Sequence, residues 1–257
     1  MSDIDFVVLW GLVLIALFYI GGPLLVRFRV RLPGHPKLLS LDMESLPPEI
    51  AKFLMARTRD LFELGFDEPT LVHLPNPAPH VTTYLILLVN RPAGDKALVT
   101  VVIGERAPYE QSFHVEFSTR FESGAEFNTH NISLLLAFPP GPQAVRTQVP
   151  SLRDPVRLYE LHNFVMNKHV IHGKKVLYQQ GEALDYLARF TFVKSYEEQV
   201  QQGWLFYEEP RDMYRPTFKG AFLLAWGLVQ PVKSLRKIAL AWRARRILRE
   251  FEQASAS

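Results

Sequence analysis

Three histidines with chemical potential fall close together in this sequence: His162, His169 and His172, with Glu160 beside the first. His169 and His172 are three residues apart and would share a face of a helix, the spacing at which imidazoles can approach one metal ion. A metal needs three or four converging ligands, usually including a carboxylate or thiolate, and this group has no recognisable ligand motif. Histidine near a helix end is also favoured by the helix dipole alone, so no metal site is expected. A second set, His114, Glu116, Ser118 and Arg120, alternates along one stretch and could line a cleft with acid and base groups. Alternation of this kind is also what the wet face of a strand produces. There is no nucleophile elbow, no phosphate-cradling glycine loop and no dinucleotide fingerprint. The chain contains no cysteine, which excludes disulfides, thiolate catalysis and cysteine-ligated metals. No catalytic residue and no cofactor are therefore assigned from the sequence. An enzyme using the polar face of the sheet stays as the alternative.

The most prominent feature lies at the other end of the chain. Phe6 to Val26 carries no charged residue. At about 1.5 Å per helical residue the run covers roughly 30 Å, the thickness of a hydrocarbon layer. Its leading segment, Met1-Ser2-Asp3-Ile4-Asp5, lacks the basic character of a signal peptide. Arg27, Arg29, Arg31 and Lys37 follow the run, which places the remainder of the chain on the cytoplasmic side and the N-terminus outside. The sequence thus predicts a single-pass anchor over residues 1–30, with the lipid bilayer as its partner, and a cytoplasmic domain behind it. Gly21-Gly22-Pro23 is expected to bend or end the helix.

A linker over 31–44 precedes an α+β sheet domain over 45–150. Ser45 is read as the N-cap of a helix that Gly65 ends. Val81 to Val89 and Ala97 to Ile103 read as a buried hairpin joined by Asn90 to Asp95. In Phe113 to Phe121 the residues Phe113, Val115, Phe117, Thr119 and Phe121 share one face, with His114, Glu116, Ser118 and Arg120 on the wet one. Phe127 and a strand at Ile132 to Phe138 complete an antiparallel β-meander of four or five strands packed with helices. Residues 151–257 form a helical C-terminal section: Arg153 to Lys168, Glu182 to Gln202, a β-hairpin over 203–217 with Pro210-Arg211-Asp212 at its tip, then Phe218 to Leu228 and Pro231 to Phe251.

The segment Gly203-Trp204-Leu205-Phe206 through Tyr214-Arg215-Pro216-Thr217-Phe218-Lys219-Gly220 resembles the wing of a winged-helix domain over a small part of the chain. A wing follows a short recognition helix. Here a long helix bearing Glu197 and Glu198 precedes it, and nucleic acid is not the expected partner, although a tethered nucleic-acid binder is kept as a further alternative. The span from Lys219 to Arg249 contains Lys219, Lys233, Arg236, Lys237, Arg243, Arg245, Arg246 and Arg249 and no acidic residue. With Trp226, Trp242 and the apolar stretch Ala221 to Val229 it suits a helix in the headgroup layer. The membrane-interface residues expected are Trp226, Lys233, Arg236, Lys237, Trp242, Arg243, Arg245 and Arg246. Their partner would be anionic lipid headgroups or a membrane protein. The competing reading buries Phe222 to Val229 in a core. The function expected from all this is a membrane-tethered cytoplasmic binding or assembly component.

Overall fold

The structure, a computed structural model, describes residues 3–75, 81–104, 107–170, 172–177 and 192–255. The fold is α+β, with mainly antiparallel sheets and helices. The chain divides into two compact units. One comprises Met1–His35, Leu135–Pro139 and Val193–Ile238, the other Pro36–Leu134, Pro140–Phe192 and Ala239–Ser257.

The larger unit is built on a seven-stranded sheet. Its strands are β2 (Leu39–Ser40), β3 (Asp67–Pro75), β4 (Val81–Asn90), β5 (Asp95–Gly104), β6 (Ala107–Arg120), β7 (Glu126–His130) and β8 (Ala144–Gln148), in that spatial order. All neighbours are antiparallel except β7 and β8, which are parallel. The expected hairpin is present as β4 and β5, paired from Asn90↔Asp95 outward. The meander is longer than expected, and it is not wholly antiparallel. A parallel pair needs a crossover of about a dozen residues, and the stretch between His130 and Ala144 supplies it, including the segment expected to be a strand, Ile132 to Phe138. Side chains, not a neighbouring strand, make the bonds around that segment's start. Asn131 Oδ1 accepts from the Val115 amide at 2.8 Å and its Nδ2 donates to the Leu152 carbonyl at 3.0 Å. Gln148 Nε2 donates to the carbonyls of Ile132 and Leu134, both at 2.8 Å.

Helix α3 (Pro48–Glu63) begins two residues later than a cap at Ser45 would place it. The residue before a proline is driven away from helical angles. With Pro47 and Pro48 consecutive, Leu46 and Pro47 are both extended, and Ser45 instead closes a 3₁₀ turn through Asp42. Its C-terminus is as expected. Gly65 has φ +82° and the Phe66 amide returns to the Leu61 carbonyl, an arrangement a side chain at Gly65 would strain. Ile50, Leu54, Thr58 and Leu61 form the buried stripe of α3. They meet Ile86, Leu88, Ala97, Val99, Val115 and Phe117 from the sheet. Helix α4 (Pro155–Asn167) adds Leu158, Leu161 and Val165, and is capped by Asp154, whose carboxylate accepts from the Val156 amide at 2.9 Å.

The smaller unit contains the N-terminal run. It is three successive helical segments: α1 (Asp3–Ala16), a π-helical segment (Leu17–Gly21) and α2 (Gly22–Arg29). No helix among the described residues is long and apolar enough to cross a membrane, so the single regular anchor helix expected over Phe6 to Val26 is not found. The interruption has a local cause. Pro23 has no N–H for the Tyr19 carbonyl four residues earlier, so the regular ladder fails there. The expected hairpin forms from β9 (Leu205–Glu208) and β10 (Met213–Pro216), with β1 (Leu32–Pro33) added on the outer edge of β10. Two helices precede and follow it, α5 (Lys194–Gln201) and α6 (Phe218–Leu228). The expected helix Glu182 to Gln202 lies within the described residues only over its last part. Thr217 caps α6, its Oγ1 accepting from the Gly220 amide at 3.0 Å. Helix α7 (Val232–Ser255) begins in this unit and ends in the other.

Candidate membrane-facing surface and polar clusters

In the smaller unit, α6 packs along α2. Two bonds join α6 and the turn after it to the helical run. The Trp226 indole Nε1 donates to the Tyr19 carbonyl at 2.9 Å, the very group deprived of its donor by Pro23. The Tyr19 hydroxyl donates to the Gln230 carbonyl at 2.6 Å. At the other end of α6, the Arg27 guanidinium lies 4.6 Å from the Phe206 ring centroid and 5.5 Å from that of Phe218. Around these contacts large apolar side chains remain open: Phe6, Trp10, Ile15, Phe18 and Phe28 on the run, with Phe28 60 % exposed, and Phe218, Trp226 and Leu228 on α6, with Leu228 65 % exposed.

The expected interface residues fall on both units. In the smaller one, Trp226 is exposed but held by Tyr19. Arg236 is half-buried, with its Nη2 donating to the Leu136 carbonyl at 2.7 Å. Lys233 is half-buried and Lys237 exposed. Neither reading of α6 made from sequence describes it fully: Ala221, Ala225 and Gly227 are buried while Trp226 and Leu228 are open. In the larger unit, Trp242, Arg243, Arg245 and Arg246 are exposed. The basic character there is partly offset, since Glu250 accepts from Arg246 Nε at 3.0 Å and also from Lys168. Those two donors, Lys168 first, hold the Glu250 carboxyl below the usual range. Sequence inspection missed Tyr19. Its only signal was Pro23 at the fourth position after it.

The larger unit holds two polar clusters. One lies inside the core, where Asp95, Thr119 and His162 are fully buried and Thr129 nearly so. Asp95 Oδ1 accepts from Thr119 Oγ1 at 2.5 Å and Lys175 Nζ at 2.9 Å, and Oδ2 accepts from the Tyr159 hydroxyl at 2.7 Å. His162 joins Thr119 through Nε2 at 2.8 Å and Thr129 through Nδ1 at 3.0 Å. Burial lowers the His162 pKa to about 4, against the opposing pull of Asp95. Burial and the Asp95 carboxylate both push the Tyr159 phenol up. The histidine group seen in the sequence is thus separated: His162 is fixed in this network, whereas His169 sits at the end of α4, its Nδ1 against the Val165 carbonyl at 2.8 Å and its ring edge-on to Phe127. His172 is exposed. Among the described residues no three metal-binding side chains converge.

The second cluster is on the opposite sheet face, the one expected to be wet. Glu116 is half-buried, but Ser118 is 2 % and His114 8 % exposed. The register sets Glu116 opposite His130 and Ser118 opposite Asn128. Burial lowers His114 to about 4 and His130 to about 3. The solvated-face expectation fails because alternation reports which side chains share a face, not whether that face is covered.

A last grouping belongs to the smaller unit. His35 Nδ1 lies 3.0 and 2.9 Å from the two Asp212 oxygens, and Tyr207 donates to Asp212 Oδ1 at 2.8 Å. His35 and Tyr207 border a cavity of about 480 Å³ lined also by Glu197, Val200, Gln201 and Tyr214. Asp212 has φ +49°, and its carboxyl is held below the usual range by the bonds from His35 and Tyr207. The bonds splice the Gly34–His35 segment to the hairpin tip, where the Gly34 amide also donates to the Asp212 carbonyl at 2.8 Å. Compared with protein-family models, with curated proteins and with solved structures, the chain matches none.

Proposed function

We propose that this protein is a membrane-tethered binding or assembly component, held in the bilayer by the helical run from Asp3 to Arg29 with its folded part in the cytoplasm. The observation that carries the reading is the run's surface. Phe6, Trp10, Ile15, Phe18, Leu25 and Phe28 are all exposed, a span of about 33 Å at helical rise, and contiguous exposed apolar surface on this scale marks contact with lipid or a partner. The segments succeed one another without a break, so the π-helical interruption redirects the ladder rather than ending it. Arg29 and Arg31 are exposed just beyond the run and bias it toward N-terminus-outside insertion. The exposed Arg243, Arg245 and Arg246 supply a basic surface for anionic lipid headgroups or an acidic membrane-protein partner.

The test is a pair of reporters fused after Ser257 in the full chain, one active only in the cytoplasm and one only outside it, combined with an alkaline wash of isolated membranes. Retention in the washed membrane with cytoplasmic-reporter activity is expected. Release by the wash, or activity of the outside reporter alone, overturns the reading.

One observation favours a second reading, in which the polar sheet face binds or transforms a small polar molecule. Thr100 Oγ1, His114 Nδ1, Asn128 Oδ1 and His130 Nδ1 are buried with no hydrogen-bond partner among the described residues. Buried polar atoms are seldom left so. His114→Phe with His130→Phe would remove the orphaned nitrogens. A gain in stability with an unchanged set of membrane partners would leave this face without a ligand role.

A further inference from the structure

We infer that α6 and the turn after it enter the apolar layer of the bilayer as a re-entrant hairpin, packed on the N-terminal run, with the tip at Leu228 to Pro231 reaching the depth of Tyr19. This rests on the membrane reading above but goes beyond it. The sequence offered a helix lying flat in the headgroups or a helix buried in a core, and this is a third arrangement with its own geometry.

The geometry comes from matched contacts. Phe218, at the start of α6, lies by Arg27, and Trp226, near its end, is bonded to Tyr19. Eight residues separate Tyr19 from Arg27, and eight separate Phe218 from Trp226. The helices are therefore antiparallel and in step, with a common rise of about 12 Å. A helix lying flat across the run would meet it at one level only. If Phe28, the last exposed apolar residue of the run, marks the boundary of the apolar layer, the end of α6 stands well inside it.

The polar groups are arranged as that depth requires. In hydrocarbon each unpaired backbone or side-chain donor and acceptor costs several kcal/mol, so polar atoms pair internally. The Tyr19 carbonyl freed by Pro23 takes the Trp226 indole N–H, and the Tyr19 hydroxyl is given to the Gln230 carbonyl. In water none of these groups would need the other. On the returning leg, the first turns of α7, Arg236 donates to the Leu136 carbonyl. Leu235 and Ile238 are exposed, three residues apart on one face, while Lys233 and Lys237 lie on the opposite face, from which long stems can reach the headgroups. Gly227 leaves room for the Arg236 side chain of the returning leg, which a Cβ there would meet.

The natural absence of cysteine makes the test direct. Single-cysteine variants of the full chain, Ile15→Cys on the run, Phe218→Cys, Leu228→Cys and Met55→Cys on α3, are nitroxide-labelled and reconstituted in vesicles of phosphatidylcholine and phosphatidylglycerol. Collision with oxygen, which concentrates in acyl chains, is compared with collision with a water-soluble nickel chelate. The expected result is a high oxygen-to-nickel ratio at Ile15, a ratio at Leu228 several-fold above that at Phe218, and a low ratio at the water-exposed Met55. Equal ratios at Phe218 and Leu228 would mean a flat helix, and low access of both reagents at Leu228 would mean a protein contact. Either result, with Ile15 still lipid-exposed, overturns this inference and leaves the anchor standing. Nickel access at Ile15 overturns the anchor itself.

Discussion

His162 Nε2 lies 2.8 Å from Thr119 Oγ1, and the direction of that bond is set by Thr119's other partner. Thr119 has one hydroxyl proton and gives it to the Asp95 carboxylate at 2.5 Å. Its oxygen can then only accept, so His162 carries its proton on Nε2, and Nδ1 accepts from the Thr129 hydroxyl. The chain of bonds thus has one sense, from Thr129 through His162 and Thr119 to Asp95. Tyr159 and Lys175 complete the carboxylate's donors.

Removing that terminal acceptor should be the most damaging polar change in the larger unit. Asp95→Ala leaves Thr119, Tyr159 and Lys175 without their common partner, and is expected to cost about 3–5 kcal/mol, as loss of one side of a buried ionic network does. Tyr159→Phe removes one donor and should cost about 1–2 kcal/mol. Denaturant unfolding of the two variants checks this. Equal effects would show that Asp95 is not the node.

Acid should unfold this unit through its buried histidines. His114, His130 and His162 have folded pKa values of about 4, 3 and 4, below the 6.5 of the free side chain. Between pH 6.5 and 4 the unfolded chain binds protons that the folded one refuses, so stability falls as pH falls, by up to about 1.4 kcal/mol per pH unit for each histidine. Above pH 6.5 these groups contribute no pH dependence. His114→Gln with His130→Gln should flatten the slope between pH 6.5 and 4, as followed by circular dichroism. A slope unchanged in the double variant would refute the assignment.

Phe117 and Glu116 are neighbours with opposite fates. Phe117 is fully buried, 5.5 Å from the Phe66 ring and 5.0 Å from the Tyr159 ring. Phe117→Ala should cost about 3–5 kcal/mol, whereas Glu116→Ala, at a half-buried site, should cost about 1 kcal/mol or less. Small effects at both positions would mean that the register of β6 is wrong.

Trp226→Phe keeps the ring and removes the indole N–H. The Tyr19 carbonyl then has no donor from α6, and about 0.6–2 kcal/mol of the packing of α6 on the helical run should be lost. Unfolding of the full chain in detergent micelles, titrated with a denaturing detergent, should show the loss. Trp226→Tyr, which cannot place an N–H there, should not rescue it.

What the sequence determined by itself was local. The turn-formers from Asn90 to Asp95 and around Asp212 defined their hairpins, alternation from Phe113 to Phe121 identified part of a strand and, Phe113 apart, its core face, and Gly65 marked a helix end. Each signal is written within a few residues, because it arises from backbone angles or side-chain period. Strand β3 was not legible: a register shift between Asp67 and Thr70, with Pro69 inside it, breaks its alternation. Strand β8 is only five residues long, between proline-rich segments. What only the tertiary structure decided was pairing over distance. Asp95 with His162's network, Tyr19 with Trp226 and Arg236 with the Leu136 carbonyl join residues far apart in the chain. No local property of Tyr19 or Asp95 encodes its partner, because a hydrogen bond depends on where the fold brings two atoms and not on the residues beside them. The same reason explains the covered polar face: the period of β6 sorted its side chains correctly, but burial of His114 and Ser118 is decided by what else the chain lays against that face.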